Sequence, residues 1–494
     1  MSKAALVSVS NKTGLLPLLK SLKTSGYTIF STGGTAKFCT EHEIEVIQVQ
    51  DYSGVTEMLD GRVKTLNHKI FAGILHKDNL AHIQEITKHD IASIDIVVVN
   101  CYPFQDVIQD VNTSYDDAIE NIDIGGPSLI RAAAKNHARV TVLTQDCDYH
   151  NVIQYLDAGE DIPLTTRKKL ATTAFQLTAK YDQCIYNYLT DNISSLRYGE
   201  NPNQNATLIK NNDISISQYN GKPLSYNNYL DADCALSCIS EFSEPACIIV
   251  KHAAPCGVAI GTSTQTAYQN AFSTDPTSAF GGVIAFNCSV DADTATTIIE
   301  NQFFEMVLAP TFTNAALECF RTKKNARIID YNLTQIQNFK QHTSTRSCLF
   351  GILEQSSQPK LSDAQLTVVS NKQPSKSEIS NLIFAWKVSK YVKSNAIVYV
   401  KNNCTIGIGN GQTSRIASSE IGILKAQQGG FSTTGAVMAS DGFFPFADNI
   451  TTAANAGITA IIQPGGSIKD KDVIETANQY NLVLIHTGTR QFRH

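Results

Sequence analysis

The 494-residue sequence predicts an α/β protein in two parts, a helix-covered parallel sheet followed by a larger α/β region built from two similar halves. Three observations carry this. Over the first 150 residues, short β-branched runs alternate with helical patterns, the arrangement that gives a parallel sheet with helices on both faces. The rest of the chain contains an internal echo, with Lys401 standing to its surroundings as Lys251 stands to its own. Hydrophobic residues make up 43% and charged residues 17%, enough for a large core.

The elements follow in order. "AALVSVS", "YTIFST", "EIEVIQV", "IDIVVVN" and "RVTVLT" are the expected strands of the first domain, with "TGLLPLLKSLKTSG" and "SLIRAAAKNH" as helices between them. Residues 165–189 read as one or two helices linking this domain to the next. Polar "LRYGENPNQNA" (196–206) opens the second part. There "CIIVKHAAPCGVAIG" (247–261) is echoed by "AIVYVKNNCTIGIGNG" (396–411), and "GGVIAFN" by "GAVMASD". Duplication of an α/β unit produces this, and chance similarity between buried strands is the competing explanation. A polar stretch, 332–377, separates the halves.

A net charge of −5 argues against a general nucleic-acid binder but leaves room for a local phosphate pocket. The twelve cysteines are scattered with no C-x-x-C pair, which fits reduced thiols in a cytoplasmic enzyme. The N-terminal apolar run is too short for a signal peptide, and no window approaches the roughly 18 apolar residues of a membrane span.

Several turns gather chemistry. "VSVSNKTG" places Ser10, Lys12 and Thr13 where a strand gives way to a helix, a setting that suits a phosphate. Ser10 or Asn11 as an ordinary N-cap is the alternative. "STGGT" offers Ser31, Gly33, Gly34 and Thr35, the glycines letting backbone amides approach an anion. Arg62 and Lys64 alternate on one side of "GRVKTL", as ligand contacts or as surface charges. Tyr102 stands at a strand end, and "IDIGGPSLIRAAAKNH" brings Asp123, Pro127 as a first helical residue, and Lys135. In the second part, Lys251 and His252 end a buried strand. The histidine can move a proton near neutral pH and the adjacent cation steadies developing negative charge, unless both simply enter a solvated turn. Arg197 and Tyr198 pair a phosphate grip with a stacking ring, and Arg415 closes a Gly-spaced turn. Arg490, Phe492 and His494 end the chain, where fraying is the rule.

Taken together, "LVSVSNKTG", "DGRVKTL", "IDIGG", "RAAAKNHARV", "LRYGENP", "VKHAAPCG", "SAFGG", "GIGNGQTSR", "SDGFFPFADN" and "RQFRH" occur in the order of one family. The sequence resembles the bifunctional enzymes of purine biosynthesis that combine aminoimidazole-carboxamide ribonucleotide (AICAR) formyltransferase with inosine monophosphate (IMP) cyclohydrolase. The resemblance covers essentially the whole chain. It implies a methylglyoxal-synthase-like cyclohydrolase domain over 1–190. A transferase of two cytidine-deaminase-like subdomains follows over 191–494, split as about 196–360 and 361–494. It implies Lys251 and His252 as the transferase pair, with Asn395 orienting the histidine, and Lys64, Tyr102, Asp123 and Lys135 as the cyclohydrolase set. Around the nucleotide it places Arg197, Tyr198, Asn228, Gly281, Glu305, Arg415, Phe443, Arg490, Phe492 and His494, and on the folate side Ile416, Asp448 and Asn449. The co-substrate implied is 10-formyltetrahydrofolate, with AICAR, formyl-AICAR and IMP as the other ligands and no catalytic metal. A cytoplasmic homodimer with transferase sites at the subunit interface is implied, with no nucleic acid or membrane partner.

Some positions depart from the family pattern. Leu66-Asn67-His68 stands where Leu-His-Pro is usual, Asn203 replaces a histidine, Ala254 an asparagine, and Glu305 an aspartate of some relatives. These bear on rate and pH dependence more than on reaction class. The competing expectations are a zinc nucleobase deaminase, which lacks its H-x-E and P-C-x-x-C ligands here, a nucleotide sensor, and an enzyme retaining one of the two activities.

Overall fold

The computed structural model describes residues 3–59, 62–110, 113–190, 193–211, 213–339, 343–357 and 366–494. The chain divides into two compact units, Met1–Ile193 and Ser194–His494. The expected domain boundary at 190/191 abuts residues 191–192, and the boundary between halves near 360 falls within 358–365; both stretches lie outside the described residues.

In the first unit, β1 (Lys3–Ser8), β2 (Thr28–Ser31), β3 (Ile47–Gln48), β4 (Ser93–Val99) and β5 (Thr141–Leu143) form a sheet in the order β3-β2-β1-β4-β5, parallel throughout. Central strands covered on both faces read as unbroken apolar runs, and Val97 and Val98 are fully buried. Helix Leu15–Thr24 buries Leu15, Leu18, Leu19 and Leu22, the stripe of an amphipathic helix on a core. The run "EIEVIQV" yields only the two-residue β3, because an edge strand is paired on one side and Val49–Ser53 turns helical at once. Residues 164–189 form one helix, Leu164–Leu189, packed on helix Gly125–Lys135.

A serine, a histidine and an aspartate meet in this unit without forming a hydrolytic triad. Ser93 Oγ lies 3.0 Å from His76 Nε2 but donates its proton to Asp95 Oδ1 at 2.8 Å. Arg139 pairs with Asp95 and donates to the carbonyls of Gly73, Ile74 and His76, satisfying the C-terminal end of helix His68–Leu75. The set braces the starting edge of β4, away from the strand ends that carry ligands in such sheets.

A ribbon of β6 (Ile193–Leu196), which begins at the boundary residue, and β7 (Ala206–Ile209) comes first. The first half of the second unit contributes β8 (Ile216–Asn220), β9 (Ala246–Lys251), β10 (Ala254–Ile260), β11 (Gly282–Phe286), β12 (Phe304–Ala309) and β13 (Arg327–Tyr331). A hairpin, β14 (Thr343–Cys348) and β15 (Gly351–Ser356), follows. The second half contributes β16 (Thr367–Val368), β17 (Ile397–Lys401), β18 (Cys404–Gly409), β19 (Val437–Ser440), β20 (Ala460–Gln463) and β21 (Val483–His486). Both halves share one twelve-stranded sheet, β16-β21-β20-β19-β17-β18-β10-β9-β11-β12-β13-β8. Read outward from the centre, each half repeats the same strand order, so the echo in the sequence is a duplicated α/β unit.

The duplication extends to single residues. Ser225 and Ser375 each close a capping box at the start of a 14-residue helix. Gly257 and Gly407 occupy equivalent strand positions. A Cβ on either would sit about 2 Å from a helix carbonyl, that of Ala271 or Gly422, so only glycine lets the following helix close on the sheet. The halves join through the antiparallel pair Ala259–Cys404, with Thr405 Oγ1 bonding Val258 N at 2.9 Å and Thr274 Oγ1 donating to Thr405 O at 2.6 Å.

Candidate functional site

In the first unit the chain reverses direction across the sheet between β1 and β4, the switch point where doubly wound sheets bind ligands. The loops after these strands are tied together. Asn100 Oδ1 accepts from Ser10 N at 2.6 Å and Ser10 Oγ at 2.8 Å. The N-cap reading of Ser10 or Asn11 fails: the cap position of helix Leu15–Thr24 is Gly14, and Asn11 Oδ1 instead accepts from Thr13 N and Oγ1. Lys12 Nζ folds back on the carbonyls of Val9 and Ser10. Asn100, the polar residue ending a buried strand, was a legible signal that the motif reading passed over.

Helix Gly33–Glu41 begins directly after β2, with Gly33 at φ +39°. Ser31 and Thr35 are buried, and their hydroxyls bond the backbone of Val7 and Val9, so they lock the β1 and β2 loops together. Lys64 Nζ lies 3.9 Å from where a Cβ on Gly33 would stand. An ammonium at a helix N-terminus opposes the helix dipole, and an anion between them removes the conflict. Glu57, 3.5 Å from Lys64, supplies part of that charge. Arg62 diverges from Lys64 and pairs with Glu120. Asp123 Oδ1 accepts from Gly126 N at 2.8 Å, Tyr102 N approaches Oδ2 at 3.4 Å, and Tyr181 Oη accepts from Asp123 N at 2.8 Å. Burial raises the Asp123 pKa, and the Gly126 and Tyr102 amides pull it partly back. Lys135 ends the helix that Gly125 begins, about 15 Å along its axis, so the structure does not place it beside Asp123.

In the second unit, Lys251-His252-Ala253-Ala254 forms the tight turn between β9 and β10. His252 and Ala253 have φ of 54° and 55°, the left-handed pattern of a two-residue hairpin turn that favours Asn and Gly. The equivalent turn of the second half carries the suited pair, Asn402-Asn403. Strain of about 1–3 kcal/mol persists only where surroundings enforce it. Here Asp231 Oδ1 accepts from Ala253 N at 2.6 Å, as Asn381 Oδ1 accepts from Asn403 N at 2.7 Å in the second half. Burial raises the Asp231 pKa, against that amide and His252. Lys251 Nζ donates to Phe280 O at 2.7 Å. No sequence signal marked Asp231, whose role is set by folding.

Two cavities lie in the second unit, the first of them at this turn. One, of about 280 Å³, is lined by Lys251, His252, Cys256, Asp275, Gln412 and Lys425, among others. Asn395 Nδ2 donates to Gln412 O at 2.8 Å on its border. The other, of about 360 Å³, gathers Arg197, Tyr198, Lys222, Asn228, Glu305 and Arg327. Arg197 stacks over the Tyr198 ring, and buried Arg327 pairs with Glu305. Gly281 N bonds Phe303 O at 2.8 Å, joining the segment whose Phe280 carbonyl holds Lys251 to this cavity's wall.

A third cluster belongs to the second half. Asp441, fully buried, accepts from Ala396 N at 3.0 Å and Arg415 at 2.9 Å on one oxygen. Phe492 lies under the guanidinium groups of Arg415 and Arg490, 6.0 and 4.9 Å from their centres, with the His494 ring 6.2 Å away. Arg415 also donates to Phe443 O. The frayed-terminus reading therefore fails: Gln491 N bonds Asp441 O at 2.9 Å and its amide pairs with Trp386. Asp448 begins helix Asp448–Asn455, beside buried Asn449, and Ile416 lies on the neighbouring helix Arg415–Gln428. Among the described residues no three His, Cys, Asp or Glu side chains converge as metal ligands.

Anion-suited strand ends in one unit, and a strained Lys-His turn beside a lysine-bearing cavity in the other, fit an enzyme with two candidate sites. The comparisons make the class particular. Residues 133–425 match the family model of the AICARFT/IMPCHase bienzyme, and residues 14–128 match that of the MGS-like domain. The bifunctional purine biosynthesis protein PurH of Caldicellulosiruptor saccharolyticus is 45% identical over 519 aligned positions, covering 100% of both chains. The crystal structure of ForH matches at a TM-score of 0.34 and 31% identity, over 37% of this chain and 95% of its own. This chain belongs to the AICARFT/IMPCHase bienzyme family.

Proposed function

We propose that the second unit transfers a formyl group from 10-formyltetrahydrofolate to the amine of AICAR, and that the first closes the formyl-AICAR produced to IMP with loss of water. These are the last two steps of purine (IMP) biosynthesis. The observation that supports the transferase assignment is the enforced left-handed turn presenting Lys251 and His252 to the cavity they line with Cys256, Asp275 and Lys425.

The AICAR amine is a poor nucleophile because its lone pair is drawn into the ring and carboxamide. His252 takes its proton as the nitrogen adds to the formyl carbon. Lys251 steadies the tetrahedral oxyanion, or protonates the folate nitrogen as the C–N bond breaks. Such acid–base assistance contributes about 10²–10⁴-fold. In the cyclohydrolase, carboxamide nitrogen and formyl carbon are already tethered, so positioning carries much of the rate. Lys64 polarises the formyl oxygen beside the helix N-terminus, and Asp123 and Tyr102 handle protons. Lys135 is retained as a cyclohydrolase candidate on family resemblance alone. The purified protein given AICAR and formyl-folate forms IMP, and given formyl-AICAR alone also forms IMP; failure of either assay removes one activity.

The working form in this reading is a cytoplasmic homodimer. Arg415, Phe443, Arg490, Phe492 and His494 lie outside the two cavities described above, and in this reading a partner copy brings the nucleotide candidates together. The hairpin β14–β15 exposes Leu349 and Phe350 completely, and a two-stranded hairpin alone is marginal in water, which supports a protein surface covering it. Twelve unpaired cysteines fit a reducing compartment.

Deleting Phe492–His494 while sparing Gln491 tests the tail. AICAR KM for formyl transfer rises about tenfold or more, since a ring and terminal contacts are lost beside Arg415, while cyclisation and the melting temperature, within a few degrees, are kept. Unchanged AICAR binding by calorimetry counts against the tail's role.

A further inference from the structure

We infer that Lys425, reaching from the second half of the unit, is a positioning residue for Lys251 in the first; this rests on the transferase role proposed for Lys251. The link is a chain of contacts along one wall of the 280 Å³ cavity. Lys425 Nζ pairs with Asp275 Oδ2 and lies 3.4 Å from Ser278 Oγ. Asp275 in turn caps the one-turn helix Pro276–Ala279: Oδ1 accepts from Ser278 N at 3.0 Å and Oδ2 from Ser278 Oγ at 2.7 Å. That turn ends at Phe280, whose carbonyl accepts from Lys251 Nζ. Burial disfavours the Asp275 charge, but the hydrogen bonds from Lys425 and Ser278 outweigh it and hold the carboxyl below its usual range.

An aspartate caps a helix without a counter-ion. A lysine brought 150 positions along the chain to that carboxylate therefore does something other than capping. It fixes the Asp275 side chain, the cap fixes the turn, and the turn fixes the one carbonyl that anchors the Lys251 ammonium. A lysine on a flexible stem is otherwise poorly aimed, and misplacement by about 1 Å can cost about 100-fold in rate.

The test uses the full-length protein. Lys425→Met lowers the kcat of formyl transfer about tenfold, with AICAR KM within twofold and the melting temperature of the protein within a few degrees as the folding control, and cyclisation unchanged. Lys425→Arg restores most of the rate. Asp275→Asn, which keeps the cap but loses the charge pair, reproduces the loss if Lys425→Met folds poorly. In a Lys251→Ala background, where single-turnover assays read the residual rate, Lys425→Met has no further effect. An unchanged kcat in Lys425→Met, or a further tenfold loss in the Lys251→Ala background, overturns the inference while leaving the Lys251 role intact. Wild-type formyl transfer by Lys251→Ala alone overturns that role, and the inference with it.

Discussion

His252→Ala loses about 10²–10⁴-fold in formyl-transfer kcat, while cyclisation of added formyl-AICAR stays within twofold of normal. The substitution is mild for the fold. Alanine already occupies the neighbouring left-handed position at Ala253, and the Asp231 hydrogen bond that enforces the turn goes to backbone, so it survives. His252 is exposed, so no core contact is lost. The melting temperature therefore shifts by no more than a few degrees, and the lost rate is chemical. Separate spectrophotometric assays of the two half-reactions check this. Collapse of both activities in a folded variant would mean that the units do not carry one activity each.

Lys64→Ala gives the opposite result: formyl transfer starts at its normal rate, formyl-AICAR accumulates, and IMP forms about 10²-fold more slowly. Formyl transfer is readily reversible, whereas ring closure is aromatising and draws the sequence forward. With closure slowed, the first reaction stalls short of completion. The variant removes an exposed pair with Glu57, worth about 0–1 kcal/mol, so stability is nearly unchanged. Chromatography of the reaction mixture distinguishes the outcomes, and full conversion to IMP at the usual rate removes Lys64 from the mechanism.

What the sequence disclosed, and what it hid, follows from the range of the interactions. The five parallel strands of the first unit were legible because buried strands need β-branched runs, and the echo of Lys251 in Lys401 was legible because both turns need the same local pattern. The ties that Ser31 and Thr35 make to Val7 and Val9 were not legible, because a hydroxyl beside glycines looks the same in sequence whether it faces a phosphate or bonds the next strand. Lys135 shares a motif with Asp123, yet helix geometry carries it to the far end. Asp231, Arg327 and Asp275 were invisible, since each acquires its task from a partner brought near only by folding.

The single registered strand pair joining the two halves has a consequence for how the chain reaches its native state. Strand pairing within each half is dense, whereas the contacts between the halves, the Ala259–Cys404 pair and the shared core beside it, join residues far apart in sequence and close last in any order that forms local contacts first. Until they close, β10 and β18 are unprotected edges of matching shape, and such edges recruit strands from other chains. During synthesis the first half waits, its edge bare, for about 150 further residues, and an identical half from a neighbouring ribosome offers the same seam. The duplication that gives the sheet its symmetry thus also makes domain exchange between nascent copies its characteristic misassembly.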